Sequence, residues 1–490
     1  MRSFTPVALL SSTLTGVSAW VNLTSIYGSG LSPGAEIFYA SDPDWDTEVT
    51  QRWTLVGAPT FYGAIKPATE QDIQHVVRVS SKRGIRFLAV GAGHGASTTL
   101  GRLQDGIEID LANFNSVNLD RENSLLTVGA SVVFSDLFDL LYQSGKMLPM
   151  GNAECVGVVG AALGGTIGVF QGPLGLGLDS LVSVRLVTAS GDLIEVSKTQ
   201  HPDLFWGIRG AGANFGIVTS ATFRVHDAPN SGNITSIDFL YPGSLNASVW
   251  EVLKSFDDDI PSELVLNFAA SIDQASGQSV IIANAAYFGP LDEAEELVAP
   301  LRALGPLTTA TNIVPWTQLQ RTAFFGQGNT SDPTECIPGQ WSDGYSIGLK
   351  QTDVPTLVSF FNSLHEFYSQ HPSLNGIVLI ERYPNAVTLS VPDGETAYPH
   401  REIKIQVLFE NYLTNSSLLE VLDEFTQAAR AELQKTSGFD ELSVYVNFAH
   451  GDEGVDAWYT PRKMDNLTRL KRKWDPLEQF SWNCPLPLTY

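Results

Sequence analysis

Residues 87–98, which read FLAVGAGHGAST, place three alternating glycines and one histidine directly after a short apolar run. Together with Asp110, about twenty residues further on, this order formally matches a dinucleotide-binding turn. That fold needs a helix immediately after the glycines, because the helix N-terminus faces the pyrophosphate. The stretch that follows, residues 97–106, contains Gly101 and Gly106 and has no helical periodicity. The sequence therefore argues against the usual nicotinamide-binding fold.

The glycines of this turn are still informative. Alternating glycines let the backbone N–H groups turn inward and approach a ligand closely. A second glycine-rich stretch follows, with glycines at positions 157, 160, 164, 165 and 168. Two such loops in one region indicate a phosphate-bearing cofactor held by backbone amides, and the alternative is two crowded turns.

The length, charge and cysteine content limit the classes of protein to consider. A chain of 490 residues exceeds what one core supports, so we expect two or three domains. The formal net charge of −24 disfavours nucleic-acid and anionic-membrane partners, because an acidic surface repels phosphate groups. The cysteines at positions 155, 336 and 484 allow at most one disulfide and leave one thiol unpaired.

The first residues have the features of a secretory signal peptide. Arg2 precedes a largely apolar run, and Val17-Ser18-Ala19 has the small-residue form of a cleavage site. We therefore expect cleavage after Ala19 and secretion to the extracellular space. Asn-x-Ser/Thr sequons support export and predict glycosylation at Asn22, Asn233, Asn246, Asn329, Asn415 and Asn466.

The pattern of predicted secondary structure changes near residue 228. Before it, short apolar strands and glycine turns surround two helices, at 69–84 and 133–145, which is an α+β pattern. After it, alternating strands with one polar face are mixed with amphipathic helices, as in an antiparallel sheet covered on one side. The C-terminal segment begins as a strand near residue 441 and continues into a basic helix over 459–476.

Four ordered segments of the chain carry a resemblance to a known family. They read PATEQDIQHVVRVSSKRGIRFLAVGAGHG, VGVVGAALGGTIGVFQGPLGLGLDSLVSVRLVTASG, HPDLFWGIRGAGANFGIVTSATFRV and, at the C-terminus, YVNF followed by LKRKWDPLEQFSWN. In these segments the sequence resembles the berberine-bridge-enzyme-like FAD-linked oxidoreductases of the vanillyl-alcohol-oxidase/para-cresol-methylhydroxylase (PCMH) superfamily.

The resemblance implies a fold and a division into domains. The fold class is α+β, with a PCMH-type FAD-binding domain in two α/β subdomains and a substrate domain whose antiparallel sheet is covered by helices. The expected boundaries are 1–19 for the signal peptide, 20–228 for the FAD-binding domain, 229–440 for the substrate-binding domain and 441–490 for a C-terminal segment that returns to the FAD domain.

The resemblance also implies FAD as the cofactor, bonded covalently through His94. A neutral imidazole nitrogen is a good nucleophile toward an activated ring methyl group. In relatives with a second link, the cysteine of Cys-Pro-x-Val-Gly corresponds to Ala153. Cys155 lies two residues out of register, so we predict a single link, and Cys155 is either a small buried hydrophobe or a flavin contact made by a loop shift. The other expected FAD contacts are Gly91, Ala92, Gly93, Gly95, Val156, Gly157, Gly160, Gly164, Gly165, Gly168, Ile217, Asn447 and Phe448.

The catalytic residues implied by the resemblance are less defined. Lys404 and Gln406 lie on one side of the strand over 400–410, where some relatives present a carboxylate base. Glutamine cannot accept a proton at neutral pH, which leaves the base unassigned. Lys404 would then lower the pKa of a nearby phenol, or His450 would act as the base, and the alternative for Lys404 is a surface lysine.

Three functions fit these observations. The first is a secreted, monomeric FAD-dependent oxidase that takes a hydride from a small organic substrate, such as an alcohol or a specialised metabolite. Val156 occupies a position where relatives that react with oxygen have valine, which favours molecular oxygen as acceptor and hydrogen peroxide as product. The second is a carbohydrate oxidase acting at the anomeric carbon, and the third is a flavin-bearing protein without turnover. No metal is expected.

Overall fold

The computed structural model of the chain describes residues 22–273, 276–326 and 336–490. The predicted signal peptide and the sequon at Asn329 lie outside these residues. The strands are β1 Glu36–Tyr39, β2 Phe61–Lys66, β3 Phe87–Val90, β4 Gly106–Asp110, β5 Val117–Asp120, β6 Leu125–Gly129, β7 Lys146–Met147, β8 Leu181–Val187, β9 Leu193–Ser197, β10 Ile217–Arg224, β11 His226–Asp227, β12 Asn233–Pro242, β13 Leu264–Asp273, β14 Gln278–Tyr287, β15 Thr308–Pro315, β16 Trp341–Leu349, β17 Asn375–Arg382 and β18 Ile405–Leu413. The α-helices are α1 Leu23–Tyr27, α2 Trp45–Glu48, α3 Glu70–Arg83, α4 Phe138–Gln143, α5 Val158–Gly164, α6 Gln171–Leu174, α7 Pro202–Ala211, α8 Asn246–Ser255, α9 Leu291–Ala303, α10 Leu319–Gly326, α11 Val354–Gln370, α12 Ala386–Ser390, α13 Leu419–Gln434, α14 Val455–Tyr459 and α15 Pro461–Trp474.

The first sheet has the strand order β1-β2-β4-β3, in which β2, β4 and β3 are parallel. Helix α3 covers it and forms where the sequence predicts. A capping box joins Thr69 and Asp72 at its start, and Gly84 ends it with a φ of 67°. Strands β3 and β4 are joined by a 3-10 helix, Thr98–Arg102, with no crossover α-helix, so the exclusion of a nicotinamide-type turn is confirmed.

The second sheet is antiparallel and has the order β5-β6-β10-β8-β9. Its core continues into the C-terminal segment through residues such as Met464, Leu467 and Leu470 on α15. The fully buried Lys471 of this helix donates to the Asp475 carboxylate at 2.7 Å and to the Asn214 carbonyl at 3.0 Å. A lysine from the basic run of α15 thus joins the last helix to the sheet region.

The large sheet has seven antiparallel strands in the order β15-β12-β14-β13-β17-β18-β16. Its alternation separates two faces, which is clearest on β17. Val378 and Ile380 are fully buried in the core beneath α8, α11 and α13, whereas Ile377, Leu379 and Glu381 point to a cavity on the opposite face. The fold is therefore α+β, as predicted, with one face of the large sheet turned toward the cofactor-binding region.

Two further observations complete the fold. The strand expected near residue 441 does not form. Val446–Phe448 is a 3-10 helix, and the residues before it form no ladder, although the Gly348 N–H of β16 donates to the Ser443 carbonyl at 2.8 Å. Within the residues that the structure describes, no helix is long and apolar enough to cross a bilayer.

Candidate active site

A cavity of about 530 Å³ lies between the large sheet and the region of the first and second sheets. One side is formed by the two glycine-rich loops that the sequence singled out. The other is formed by side chains of β13, β14, β16, β17 and β18 that face away from the core. Backbone atoms of the glycine-rich loops thus form one wall of the cavity, and side chains of the large sheet form the opposite wall.

The first glycine loop presents free backbone N–H groups. Among the described residues, nothing accepts a hydrogen bond from the N–H groups of residues 92–96. Gly93 has a φ of 73°, and a Cβ there would lie 2.3 Å from the Gln51 carbonyl oxygen, so only glycine fits this turn. The Gly93 carbonyl in turn accepts from the Trp53 N–H at 3.0 Å. Such unpaired amides suit the phosphate oxygens of a nucleotide cofactor.

His94 is half-buried in this loop and lines the cavity. Its ring stacks on Trp53, with ring centroids 4.7 Å apart. Burial and the nearby Arg52 charge lower the pKa of His94 to about 4. The imidazole is therefore neutral at physiological pH, with a nitrogen lone pair available for bonding.

The second glycine loop meets the cavity along α5. Nothing in the described chain lies within 4 Å of a Cβ built on Gly160, which lines the cavity and leaves room there for a bound group. Most of the expected FAD contacts line the same cavity: Gly91, Ala92, Gly93, His94, Gly95, Val156, Gly157, Gly160, Gly164, Ile217, Asn447 and Phe448. These residues fit a large nucleotide cofactor that lies along both loops.

Two of the predicted FAD contacts do not line this cavity. A Cβ on Gly165 would lie 2.7 Å from the Tyr445 ring, and one on Gly168 would lie 2.2 Å from the Met150 carbonyl oxygen. Both glycines therefore serve close packing of the loop against its own surroundings. The sequence could not separate these glycines from their neighbours, because the composition of the loop is the same throughout.

Neither expected state of Cys155 is observed, because Cys155 forms a disulfide with Cys336. Its sulfur is thereby occupied and is not a flavin ligand. Cys484 is the remaining cysteine and is a buried free thiol, as the odd count requires. The disulfide links the start of the second glycine-rich stretch to the segment that precedes strand β16.

The structure places Lys404 and Gln406 away from the cavity, which corrects the expected catalytic roles. The Lys404 ammonium donates to the Asp257 carbonyl. Both side chains line a separate small cavity. Gln406 is nevertheless the register partner of Glu381 on the neighbouring strand β17. Gln406 thus lies on the same face of the large sheet as Glu381, one strand away.

His450 does not line the cavity and is not suited to be a base. Its imidazole stacks on Tyr345 at 3.8 Å between ring centroids and lies 3.2 Å from the Asp343 carboxylate and 3.3 Å from that of Asp452. Hydrogen bonds to these carboxylates outweigh burial and raise the pKa of His450 to about 9. At neutral pH the ring is a cation with no lone pair to accept a proton.

Glu381 has the properties that the predicted residues lack. Its side chain lines the cavity, and burial raises its pKa to about 7, offset in part by hydrogen bonds from Tyr383 and Asn152. The Asn152 amide donates to Glu381 Oε1 at 2.7 Å, while Oε2 has no partner among the described residues. A carboxylate with a pKa near the working pH is a suitable general base. The only sequence signal was one acidic residue at the end of the apolar run 376–380.

The structure also bears on glycosylation. Asn22, Asn415 and Asn466 are exposed, and Asn233 is half-buried at the start of β12. Asn246 is buried, and its side-chain nitrogen donates to the Gly243 carbonyl at 2.9 Å. A glycan at Asn246 would need that nitrogen, so the folded chain disfavours glycosylation at this sequon.

An α+β fold with a glycine-lined cofactor cavity against a large antiparallel sheet is that of an FAD-linked oxidoreductase, and the comparisons agree. Family models match as FAD binding domain over residues 62–197 and as berberine and berberine like over residues 444–487. The FAD-linked oxidoreductase azaG of Aspergillus niger is 47% identical over 468 residues, 93% of this chain and 100% of that protein.

Solved structures share the fold at lower identity. Physcomitrella patens BBE-like 1 has a TM-score of 0.83 at 22% identity, covering 96% of this chain and 99% of that one. A glucooligosaccharide oxidase of Acremonium strictum has a TM-score of 0.82 at 21% identity, covering 96% and 99%. The chain belongs to the berberine-bridge-enzyme-like FAD-linked oxidoreductases of the vanillyl-alcohol-oxidase/PCMH superfamily. It is an FAD-binding enzyme, which argues against the alternative of a flavin-bearing protein without turnover.

Proposed function

We propose that the chain is a secreted oxidase that holds FAD through a covalent bond to His94 and oxidises a small hydroxyl-bearing substrate. The overall reaction converts a CH–OH group and O₂ into a carbonyl group and H₂O₂, so that two electrons and two protons leave the substrate. When bound, the flavin supplies the hydride-accepting ring. The remaining roles fall to side chains of the cavity.

The observation that carries this proposal is the position of Glu381. Hydride loss from an alcohol carbon is assisted when the hydroxyl proton is removed in the same step, which requires a base within hydrogen-bond reach. Glu381 Oε2 lies in the cavity wall without a partner among the described residues, and Asn152 holds the other carboxylate oxygen. Glu381 thus takes the hydroxyl proton, and Asn152 fixes the orientation of the carboxylate.

The covalent link rests on the state and position of His94. Its neutral imidazole lies in the amide-lined loop, and the Trp53 ring stacked on it limits its rotation. The family's second attachment point corresponds to Ala153, and the nearby Cys155 has no free thiol because it is paired with Cys336. A single bond through His94 is therefore the expected attachment. The structure of the Acremonium strictum glucooligosaccharide oxidase reveals a novel flavinylation, so attachment of flavin to protein has a precedent within this fold.

Two observations support oxygen as acceptor and secretion. Val156, at the position where relatives that react with oxygen have valine, lines the cavity. The Cys155–Cys336 disulfide suits an oxidising compartment, in agreement with the signal-like N-terminus and the exposed sequons at Asn415 and Asn466.

The test is a panel of alcohols and aldoses offered to the purified holoenzyme. We expect at least one compound to bleach the flavin under anaerobic conditions, and admission of air to restore the colour with one H₂O₂ formed per carbonyl. Restoration by a dye but not by O₂ would identify a dehydrogenase instead. Reduction by aldoses alone would favour the carbohydrate oxidase.

A further inference from the structure

Six polar atoms of side chains that line the cavity are buried without a hydrogen-bond partner among the described residues. Four are the oxygens Asn267 Oδ1, Gln320 Oε1, Ser342 Oγ and Glu381 Oε2, and two are the indole nitrogens of Trp53 and Trp482. An unpaired buried polar atom is unfavourable, because it loses its hydrogen bonds to water and gains none in return. A molecule bound in this cavity can supply the missing partners of these atoms.

The chemistry of these atoms defines what that molecule presents. Gln320 directs its oxygen into the cavity, because its amide nitrogen donates to the Gly151 carbonyl at 3.0 Å. Glu381 offers a carboxylate oxygen, and Asn267 has no side-chain hydrogen bond to any described residue. All of these oxygens accept hydrogen bonds. The complementary ligand therefore carries O–H or N–H donors at more than one position.

The same wall of the cavity also carries aliphatic side chains. Ala269, Ile282, Ile377, Leu379 and Leu408 line the cavity on the same face of the large sheet. A sugar ring with a hydroxyl on nearly every carbon would place several hydroxyls against these side chains, and each would lose its hydrogen bonds to water. A hydrocarbon skeleton with a small number of donors matches this surface better.

The charges in the cavity disfavour anions. Arg52 is the only lysine or arginine among the described residues that line it, and its guanidinium already donates to the Gly95 carbonyl. Glu381 and Glu410 both line the large-sheet side. A carboxylate or phosphate on the substrate would therefore lie near acidic groups, and the large-sheet residues that line the described cavity include no lysine or arginine to pair with it.

We propose that the substrate is a neutral, largely hydrocarbon molecule with two hydroxyl groups, one of them oxidised at Glu381 and the other donating to Asn267. This substrate class rests on the proposed oxidase function and narrows it. It separates the enzyme from oxidases of sugars and of hydroxy acids.

The test compares matched ligands on one skeleton: 1,4-benzenedimethanol, its monomethyl ether and 4-(hydroxymethyl)benzoate, with glucose as the sugar. Dissociation constants are measured from the change in flavin absorption of the Glu381→Gln holoenzyme, and flavin reduction is measured with the wild type. We expect the diol to bind about tenfold or more tightly than the ether, because the ether leaves Asn267 unpaired. The benzoate and glucose should bind more weakly still.

Asn267→Leu should bring the diol and the ether to within about twofold of each other, whereas the exposed Asn118→Leu should keep the difference. Equal binding of diol and ether by the wild type, or preferred binding of the benzoate or glucose, would overturn the proposal. If the diol preference is found but no compound reduces the flavin, the oxidase function fails and the assignment of the binding site stands.

Discussion

Replacement of Glu381 by glutamine should remove the general base while keeping the shape of the cavity. Burial raises the pKa of this carboxyl from 4.5 to about 7, which corresponds to about 3 kcal/mol of preference for the neutral acid. The group is therefore a much stronger base than an exposed glutamate, yet it is still about half ionised at neutral pH. Positioned bases of this kind contribute about 10²–10⁴-fold to rate, or about 3–5 kcal/mol of barrier.

The assay is anaerobic stopped-flow measurement of flavin reduction between pH 5 and 9. The wild-type rate should rise about tenfold per pH unit below pH 7 and level off above it, because only the ionised carboxylate accepts the proton. Glu381→Gln should be slower by about 10²–10⁴-fold at pH 8 and should lose this pH dependence. Glu402→Gln makes the same change at an exposed carboxylate paired with Lys350, so it should behave as the wild type.

A Glu381→Gln enzyme with normal flavin content, wild-type rate and an unchanged pH profile would refute this reasoning. The base would then have to be another group in the cavity. Measurement of the FAD to protein ratio for each variant separates a lost base from a lost cofactor.

Three other changes test neighbouring parts of the structure. Asn152→Leu removes the 2.7 Å hydrogen bond to the ionised form of Glu381, so the midpoint of the pH–rate profile should move up by roughly one unit in the same stopped-flow assay. Gly160→Leu should leave the melting temperature of the apoprotein unchanged or higher while lowering its FAD content, because the new side chain meets only cavity space. Because the pKa of His450 is raised in the folded state, its ion pairs stabilise the fold below about pH 6.5, and this stabilisation is lost as the pH rises through 9. The melting temperature of the wild type should therefore fall more over that range than the melting temperature of His450→Gln.

The parts of the fold that local sequence specifies could be predicted. Helix α3 has its capping box and its C-terminal glycine within the sequence that forms it, and the missing crossover helix followed from Gly101 and Gly106. The strand expected near residue 441 was wrong because its apolar residues pack against the core while its backbone makes a single hydrogen bond to β16 and no ladder. Alternating apolar residues predict burial, and a strand also needs an adjacent strand edge.

The candidate site likewise contains residues that the sequence could predict and one that it could not. The position of His94 and most of the loop glycines in the cavity wall could be predicted, because it depends on backbone geometry that short motifs specify. Glu381 could not, because its pKa arises from burial and from Asn152, which is 229 residues away in sequence. The cavity carboxylate lies on the adjacent strand β17, where Glu381 is the register partner of Gln406, and strand pairing of this kind is set by tertiary structure.

The most direct test of the account is the mass of the denatured, deglycosylated protein beside that of His94→Ala. We predict that the wild type carries the mass of one FAD per chain after denaturation, and that its yellow colour stays with the acid-precipitated pellet. His94→Ala should show the bare polypeptide mass and release its flavin into the supernatant. A wild-type protein that releases all of its flavin on denaturation would contradict the covalent bond at His94.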